Sequence, residues 1–179
     1  MKVLVKKMNK DAVIPFKTYG KDFCYDVVAT SCEEVAPNVY KYGIGLAFEI
    51  DRHEMTYEDS VRLIQTCFED DTKEQYTFVG RAGIKYDESK INISIDFRPR
   101  SSVWKTGMVL SNCTGTIDEL YRGEVSAVFY HIMPNMPKYE VGNKIGQIKL
   151  GFTLPMTFEV VDELTDTERG NGAYGSTGK

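Results

Sequence analysis

The feature that most constrains the fold of this chain is a strict alternation of apolar and polar residues in short segments. Ile91, Ile93, Ile95 and Phe97 are apolar at every second position, which places their side chains on one face of a β-strand. Glycines and prolines separate this segment from six further β-like segments, at residues 2–6, 43–50, 108–110, 125–132, 144–150 and 157–161. Many short strands with regular turn residues predict an all-β sandwich or barrel.

One stretch, residues 51–90, departs from this pattern. Val61, Ile64 and Phe68 recur at helical spacing in it, whereas the flanking segments alternate as strands do. We therefore predict one short inserted helix near residues 56–68, within an excursion between two strands. The single apolar stripe suits a helix that lies on an existing surface.

The composition argues against nucleic-acid and membrane partners and favours a reducing cellular compartment. With 22 basic and 26 acidic residues the net charge is −4, whereas proteins that hold polymeric nucleic acid through its phosphates carry a basic excess. No apolar stretch approaches the roughly 20 residues of a membrane-spanning helix. The 4 cysteines form no C-x-x-C pair, and with 2 histidines they offer no structural zinc site. We expect free thiols in a reducing, cytoplasmic setting, and neither a nucleic-acid nor a membrane partner.

The end of the chain, residues 169–179, differs from residues 1–168, which we interpret as one β domain. It is glycine-rich and lacks apolar mass for a core, so by itself it fits a flexible linker. It also carries Arg169, Tyr174, Ser176 and Thr177. These groups, with backbone N–H groups such as that of Gly175, could fold over a nucleotide. The Tyr174 ring would contact a base, and the remaining groups would contact phosphates.

Three internal segments carry polar groups beside turn residues, and each has a purely structural interpretation as well. Residues 112–124 fit a hairpin whose tip contains Asn112 and Gly115 and whose exit contains Asp118 and Tyr121. Residues 99–102 either cap a short helix or hold phosphate, and residues 142–147 alone fit a turn that enters a strand. The polar residues of these last two segments are Arg100, Ser101, Ser102, Lys144 and Gln147.

Taken in order, these segments resemble the five motifs of the trimeric dUTPase family. Residues 25–27 (Tyr-Asp-Val) resemble the first motif, 99–102 the second, 112–124 the third, 142–147 the fourth and 169–178 the fifth. The third and fifth motifs are the specific ones. In the fourth motif Lys144 stands where the family has arginine. The long excursion at 51–90 is the largest departure from the family pattern.

The resemblance implies a fold and an assembly. The expected fold is a distorted jelly roll of the dUTPase β-clip type, and three chains would form a homotrimer with three sites between subunits. One subunit would supply the hairpin at residues 112–124, a second the phosphate-binding residues 99–102, and the third the tail at residues 169–179. Such a mobile tail would act as a lid that excludes water on closing.

The resemblance also implies a reaction, the hydrolysis of dUTP to dUMP and pyrophosphate. Asp118 would be the general base that activates the attacking water. Mg²⁺ would gather the phosphates and reach Asp26 through water. Arg100, Lys144 and Arg169 would offset the developing charge. The remaining residues expected to bind substrate are Ser101, Ser102, Asn112, Gly115, Ile117, Tyr121, Gln147, Tyr174, Gly175, Ser176 and Thr177.

Two alternatives belong to other functional classes. One is a dCTP deaminase of the same fold, which should lack the Gly-x-Ile-Asp-x-x-Tyr run present here at residues 115–121. The other is a nucleotide-gated protein that signals through a regulatory partner, for which residues 51–90 would be the natural surface. Because residues 69–71 are all acidic and would repel a triphosphate, we expect this excursion on the outside of the trimer.

Overall fold

The computed structural model describes residues 2–52, 92–153, 156, 158–168 and 170. These residues form ten β-strands and one 3₁₀ helix, which covers Ser101–Thr106. The strands are β1 (Lys2–Lys7), β2 (Tyr25–Val28), β3 (Ser31–Ala36), β4 (Val39–Gly43), β5 (Leu46–Asp51), β6 (Asn92–Arg98), β7 (Met108–Leu110), β8 (Gly115–Asp118), β9 (Ser126–His131) and β10 (Lys144–Thr153).

The strands are arranged in three antiparallel sheets. One four-stranded sheet has the order β2-β10-β6-β8, a second has the order β3-β4-β9-β7, and β1 pairs with β5 in a two-stranded sheet. Neighbours in these sheets are mostly distant in sequence, which is typical of a jelly roll. The predicted all-β fold of the dUTPase β-clip and jelly-roll type is confirmed.

An aromatic cluster joins the two larger sheets. Phe97 of β6 lies edge-on to Phe129 of β9, with ring centroids 6.4 Å apart, and Tyr42 of β4 lies 5.9 Å from Phe129. Tyr42 and Phe129 are fully buried. The Tyr42 hydroxyl donates a hydrogen bond of 2.8 Å to the carbonyl of Tyr139, so its polar group is satisfied inside the core. The core therefore lies between the sheets, and the alternation predicted for β6 is confirmed, with Ile93, Ile95 and Phe97 buried.

The apolar run at residues 43–50, which we interpreted as one strand, belongs to β5 only from Leu46 onward, and Gly43 is the last residue of β4. The chain leaves β4 at Gly43 and begins β5 at Leu46, and Gly45 between them has a φ of 68°. A Cβ atom on Gly45 would lie 2.9 Å from the side chains of Asn9 and Ala12. Glycine thus permits both the left-handed conformation and the close approach, and the chain crosses there from one sheet to another.

The strand predicted at residues 157–161 is wrong for residues 158–161, which have no regular structure. Phe158 and Val160 are 89% and 99% exposed, because this part of the chain packs against nothing in the described structure. Conversely, β3 was not predicted, since all six of its residues are exposed and it has no apolar face.

Several predictions concern residues outside the described ranges. These are the helix near 56–68, most of the excursion at 51–90, and the tail from 171 onward together with Arg169. The division of the chain into residues 1–168 and a tail therefore stays a prediction. Among the described residues, none of the helical structure is long and apolar enough to cross a membrane.

Candidate active site

The hairpin around β8 encloses a cavity of about 230 Å³. Its tip turns at Cys113, whose φ of 56° is unusual for a residue with a side chain. The lining includes all five hairpin residues singled out from the sequence, namely Asn112, Gly115, Ile117, Asp118 and Tyr121. Leu110, Val125 and Ala127 supply part of the apolar wall. The cavity is therefore a slot of mixed polar and apolar lining with a carboxylate and a phenol at its rim, which suits a flat polar ring.

Tyr121 is fixed at this rim by three local contacts. Its backbone N–H donates to the carbonyl of Asp118 at 3.0 Å, and its hydroxyl donates to the carbonyl of Glu124 at 3.0 Å. The ring also lies directly against Gly123, where a Cβ atom would be 2.4 Å from the phenol oxygen. Gly123 is thus required for the ring to occupy this position.

The base of the hairpin is anchored to the link between β4 and β5. The Glu124 carboxylate accepts a hydrogen bond of 2.8 Å from the N–H of Gly45. A Cβ atom on Gly43 would lie 2.4 Å from the same carboxylate, so a larger residue there would displace the anchoring Glu124 side chain. Sequence reasoning did not single out Glu124 or these glycines, because the contact joins residues 79 positions apart.

A second cluster of polar groups is centred on Asp26 of β2, which is only 8% exposed. One carboxylate oxygen lies 3.1 Å from Nε of Arg100, and the other lies 2.9 Å from Nζ of Lys144. The second oxygen also accepts a hydrogen bond of 3.3 Å from the Thr18 hydroxyl. Asp26 therefore holds the two cations side by side, each about one-third exposed. We refer to Asp26, Arg100, Lys144 and Thr18 as the Asp26 cluster.

A bulge in β10 brings Lys144 into this cluster. The pairing of β10 with β2 shifts between Lys144 and Gly146, so that one extra residue is accommodated. A Cβ atom on Gly146 would lie 2.2 Å from the Phe97 ring, so only glycine lets the strand cross that ring. The Lys144 ammonium also lies 4.7 Å from the centre of the Phe16 ring, a cation–π contact.

The other predicted phosphate-binding residues surround the Asp26 cluster. Ser101 is exposed and Ser102 half-buried at the start of the 3₁₀ helix, directly after Arg100. Gln147 pairs with Asp26 on one side and with Arg98 on the other. The residues of the first, second and fourth motif-like segments are therefore brought together in one chain.

The cavity and the Asp26 cluster lie at opposite edges of the same sheet. β2 and β8 are separated by β10 and β6, and strands are spaced by about 4.8 Å, which gives roughly 14 Å across the sheet. Asp118 pairs with Ser94, whereas Gln147, the partner of Asp26, pairs with Arg98, so the two sites are also offset along the strands. A single phosphorus atom cannot contact both groups of one chain.

Known proteins share this chain's sequence and fold. The family model described as dUTPase matches residues 79–178, more than half of the chain. The deoxyuridine 5'-triphosphate nucleotidohydrolase of Clostridium novyi (strain NT) is 33% identical over 99% of both chains. The chain belongs to the dUTPase family. As a member of it, the enzyme is a dUTP diphosphatase, a hydrolase of nucleotide metabolism.

Solved structures of dUTPases have the same fold. A mutant dUTPase of Staphylococcus bacteriophage 80alpha with dUpNHpp superposes with a TM-score of 0.65 at 17% identity, over 99% of both chains. A mutant dUTPase of phage phi11 of S. aureus, described as coordinating a structural Mg(II) ion, has a TM-score of 0.57 at 14% identity. It matches 93% of this chain and 100% of its own. The likeness extends along almost the whole chain.

The described part of the enzyme offers few protein ligands for a metal ion. It contains no group of three His, Cys, Asp or Glu residues that could hold one. Asp26 contacts two of the predicted phosphate-binding residues, and both of its oxygens are engaged by these cations. Asp26 would be the residue to hold a Mg²⁺ ion through water, because Mg²⁺ needs few protein ligands.

One ion pair beside the hairpin was not anticipated. The guanidinium of Arg52, just beyond β5, forms two parallel hydrogen bonds to the carboxylate of Glu119. The hydrogen bond from Arg52 lowers the pKa of Glu119, partial burial opposes this, and the N–H of Ile93 lowers the pKa further. Arg52 lies outside the motif-like segments, and Glu119 was not singled out within the third one, because a separation of 67 positions leaves no local signal of their contact. Arg169, Tyr174, Gly175, Ser176 and Thr177 lie outside the described residues.

Proposed function

We propose that the enzyme hydrolyses dUTP with Asp118 as the general base, in active sites shared between subunits of a homotrimer. The observation that carries this proposal is the separation of Asp118 from the Asp26 cluster within one chain. Both are needed at one substrate, because a base must lie within hydrogen-bond reach of the water and cations must lie at the phosphates. A second subunit would bring its Asp26 cluster to the first subunit's cavity.

An exposed apolar segment supports the assembly. Met156, Phe158, Val160 and Leu164 are 75%, 89%, 99% and 86% exposed on the stretch that leads to the tail. Burial of each such side chain contributes about 1.5–3 kcal/mol, so four of them would contribute roughly 6–12 kcal/mol before ordering costs. A neighbouring subunit is a natural place for this stretch to dock. The tail would then deliver Arg169, Tyr174, Gly175, Ser176 and Thr177 to a site on another chain.

The cavity accounts for substrate selection. Backbone groups around Asn112 and Gly115 would bond the polar edge of uracil, and the apolar wall, including Ile117, would contact its ring. Tyr121, held by Glu124 and Gly123, would pack beneath the deoxyribose and leave no hydrated space for a 2′-hydroxyl. Specific hydrogen bonding lets such a site reject analogues more strongly than the ~1–3 kcal/mol of a merely apolar pocket.

The chemistry follows from the positions of the charges. The Asp118 carboxylate takes a proton from a water whose oxygen attacks the α-phosphorus. The bond from that phosphorus to the bridging oxygen breaks, and pyrophosphate leaves. Arg100 and Lys144 offset the charge on the phosphates, assisted by Arg169, Ser101, Ser102 and Gln147. Bound Mg²⁺ supplies further neutralisation of the triphosphate.

Hydrolysis in ¹⁸O-labelled water tests this scheme. The label should appear in dUMP, since attack falls on the α-phosphorus, and Asp118→Asn should lower kcat by about 10²–10⁴ with substrate binding retained. Label in pyrophosphate would show that another phosphorus is attacked. Near-normal turnover in Asp118→Asn would remove this residue from the role of base.

The remaining expectations are secondary. The family assignment leaves dCTP deamination without support. We place the reaction in the cytoplasm, because Cys24, Cys32 and Cys113 are free thiols. A regulatory partner at residues 51–90 stays a prediction, and no contact among the described residues favours it over hydrolysis alone.

A further inference from the structure

The Arg52–Glu119 ion pair involves the residue that directly follows the proposed catalytic residue Asp118. Asp118 is the last residue of β8, and its pairing with Ser94 is the last one between β8 and β6. Beyond it the chain turns without further strand pairing. The position of the Asp118 backbone therefore depends on what holds the next residue, which is Glu119.

Glu119 is held from two sides. Arg52 grips both carboxylate oxygens in the planar, two-pronged arrangement that an arginine forms with a carboxylate. The N–H of Ile93, at the start of β6, acts on the same carboxylate. The side chains of Arg52 and Glu119 are 32% and 24% exposed, so the pair is partly shielded from solvent. Shielding makes such a pair stronger than a fully exposed one.

A second arginine, Arg122, holds the turn that follows β8. Arg122 donates to the carbonyls of Glu119 and Tyr121, and its Nε lies 3.7 Å from the Glu49 carboxylate on β5. The end of β5 thus meets the turn at two places. The turn carries both Asp118 and Tyr121, so the base and the proposed sugar-contacting ring share one support.

The Arg52–Glu119 pair lies on the other side of the chain from the Asp118 carboxylate, and neither of its residues lines the cavity. Exposure alternates along β8 and the residue after it, since Gly115, Ile117 and Glu119 are half-buried whereas Thr116 and Asp118 are exposed. Arg52 therefore meets Glu119 on the side of the chain away from the Asp118 carboxylate. Its contribution to turnover would be to orientation, with no contact to the reacting atoms.

We propose that the Arg52–Glu119 ion pair is a positioning element that holds the Asp118 carboxylate in line with the attacking water. The inference rests on the proposed role of Asp118. A displacement of about 1 Å at a reacting group can cost ~10²-fold in rate. Loss of the pair should therefore reduce turnover without weakening the binding of nucleotide, which the cavity and the cation cluster provide.

The test uses the full-length enzyme and three variants at the pair. Glu119→Gln removes the charge with little change of shape, Arg52→Lys keeps the charge but loses the two-pronged contact, and Arg52→Glu with Glu119→Arg exchanges the partners. Lys2→Ala is the matched control, because Lys2 forms a 3.8 Å ion pair with Asp51 at the same end of β5. Steady-state kinetics with dUTP and the affinity for dUpNHpp are measured for each.

We expect kcat to fall about 10-fold or more in Glu119→Gln and Arg52→Lys, within the range that misplacement allows, with KM and dUpNHpp affinity changed by less than about two-fold. The exchanged pair should recover part of the lost kcat, and Lys2→Ala should match the wild type. A folded variant with normal kcat, or one in which KM rises as much as kcat falls, would overturn the proposal. Asp118→Asn is assayed in parallel. If this variant retains turnover, the assignment of Asp118 as the base is wrong. If Asp118→Asn loses turnover while Glu119→Gln keeps a normal kcat, only the positioning role is refuted. If Glu119→Gln does not fold, Arg52→Lys carries the same test.

Discussion

Replacement of Asp26 by asparagine gives the sharpest test of how the proposed phosphate-binding residues are held together. Asp26→Asn keeps the size of the side chain and one acceptor oxygen but removes the charge that Arg100 and Lys144 share. The carboxylate is 8% exposed and its two cationic contacts are 3.1 and 2.9 Å long. The change therefore breaks two ion pairs at once without creating a cavity.

The magnitude follows from the burial of the partners. An exposed ion pair contributes about 0–1 kcal/mol, whereas loss of one partner of a fully buried pair costs about 3–5 kcal/mol. Arg100 and Lys144 are 35% and 32% exposed, so water can partly solvate them after the change. We expect the free energy of unfolding to fall by about 2–3 kcal/mol, and Tm by about 4–12 °C for a chain of this size.

The assay is denaturant unfolding without nucleotide or metal, followed by dUTP hydrolysis across a Mg²⁺ titration. Glu33→Gln on the exposed strand β3 is the matched control and should change stability by less than about 0.5 kcal/mol. If Asp26→Asn unfolds like the wild type, the carboxylate does not organise the cations. If it loses turnover only at low Mg²⁺ with stability intact, the water-mediated metal contact is its main role.

Three further predictions concern other parts of the molecule. Gly123→Ala places a Cβ atom 2.4 Å from the Tyr121 hydroxyl oxygen, so the ring must move by about 1 Å. The selectivity for dUTP over UTP, measured by steady-state kinetics, should therefore fall by up to ~10²-fold. Unchanged selectivity would exclude Tyr121 from sugar recognition. Arg52 holds the pKa of Glu119 below its ordinary value of 4.5, so the ion pair stabilises the fold fully above that pH and less as the pH falls through the lower folded-state pKa. The unfolding free energies of the wild type and Glu119→Gln should therefore converge in acid. A difference between the two free energies that stays constant with pH would contradict this. Removal of residues 169–179 should leave assembly intact and nearly abolish turnover. If tails act on a neighbouring subunit, mixing these truncated chains with Asp118→Asn chains should restore activity after subunit exchange. No recovery of activity would count against shared sites.

The elements predicted correctly from the sequence are those whose signal is local. β6 was predicted because Ile93, Ile95 and Phe97 alternate within seven residues, and β7 was predicted at residues 108–110, where it lies. The division between β4 and β5 was missed, because it depends on the conformation of Gly45 and on its contact with Asn9 and Ala12. No window of sequence around residue 45 contains that contact.

Prediction of the site from the sequence was limited in the same way, to features with a local signal. The order of the motif-like segments identified Asp118, Tyr121, Arg100 and Lys144, but not their arrangement. That Asp26 would hold two cations, one 118 positions away, is a property of the β2–β10 pairing and its bulge. The Arg52–Glu119 pair likewise forms only after distant strands meet. Physical contact across the sheets, which a linear pattern does not encode, decided these features.

The placement of the base and the cation cluster at opposite edges of one sheet has a consequence for how much activity a given amount of protein shows. In the proposed assembly a solitary chain would hold two incomplete half-sites, so turnover per chain would follow the law of mass action for association. Dilution to concentrations at which subunits separate would then abolish hydrolysis although every residue is intact. A cell that makes little of this protein would therefore have disproportionately little dUTP hydrolysis, and the control of its synthesis would act as a threshold.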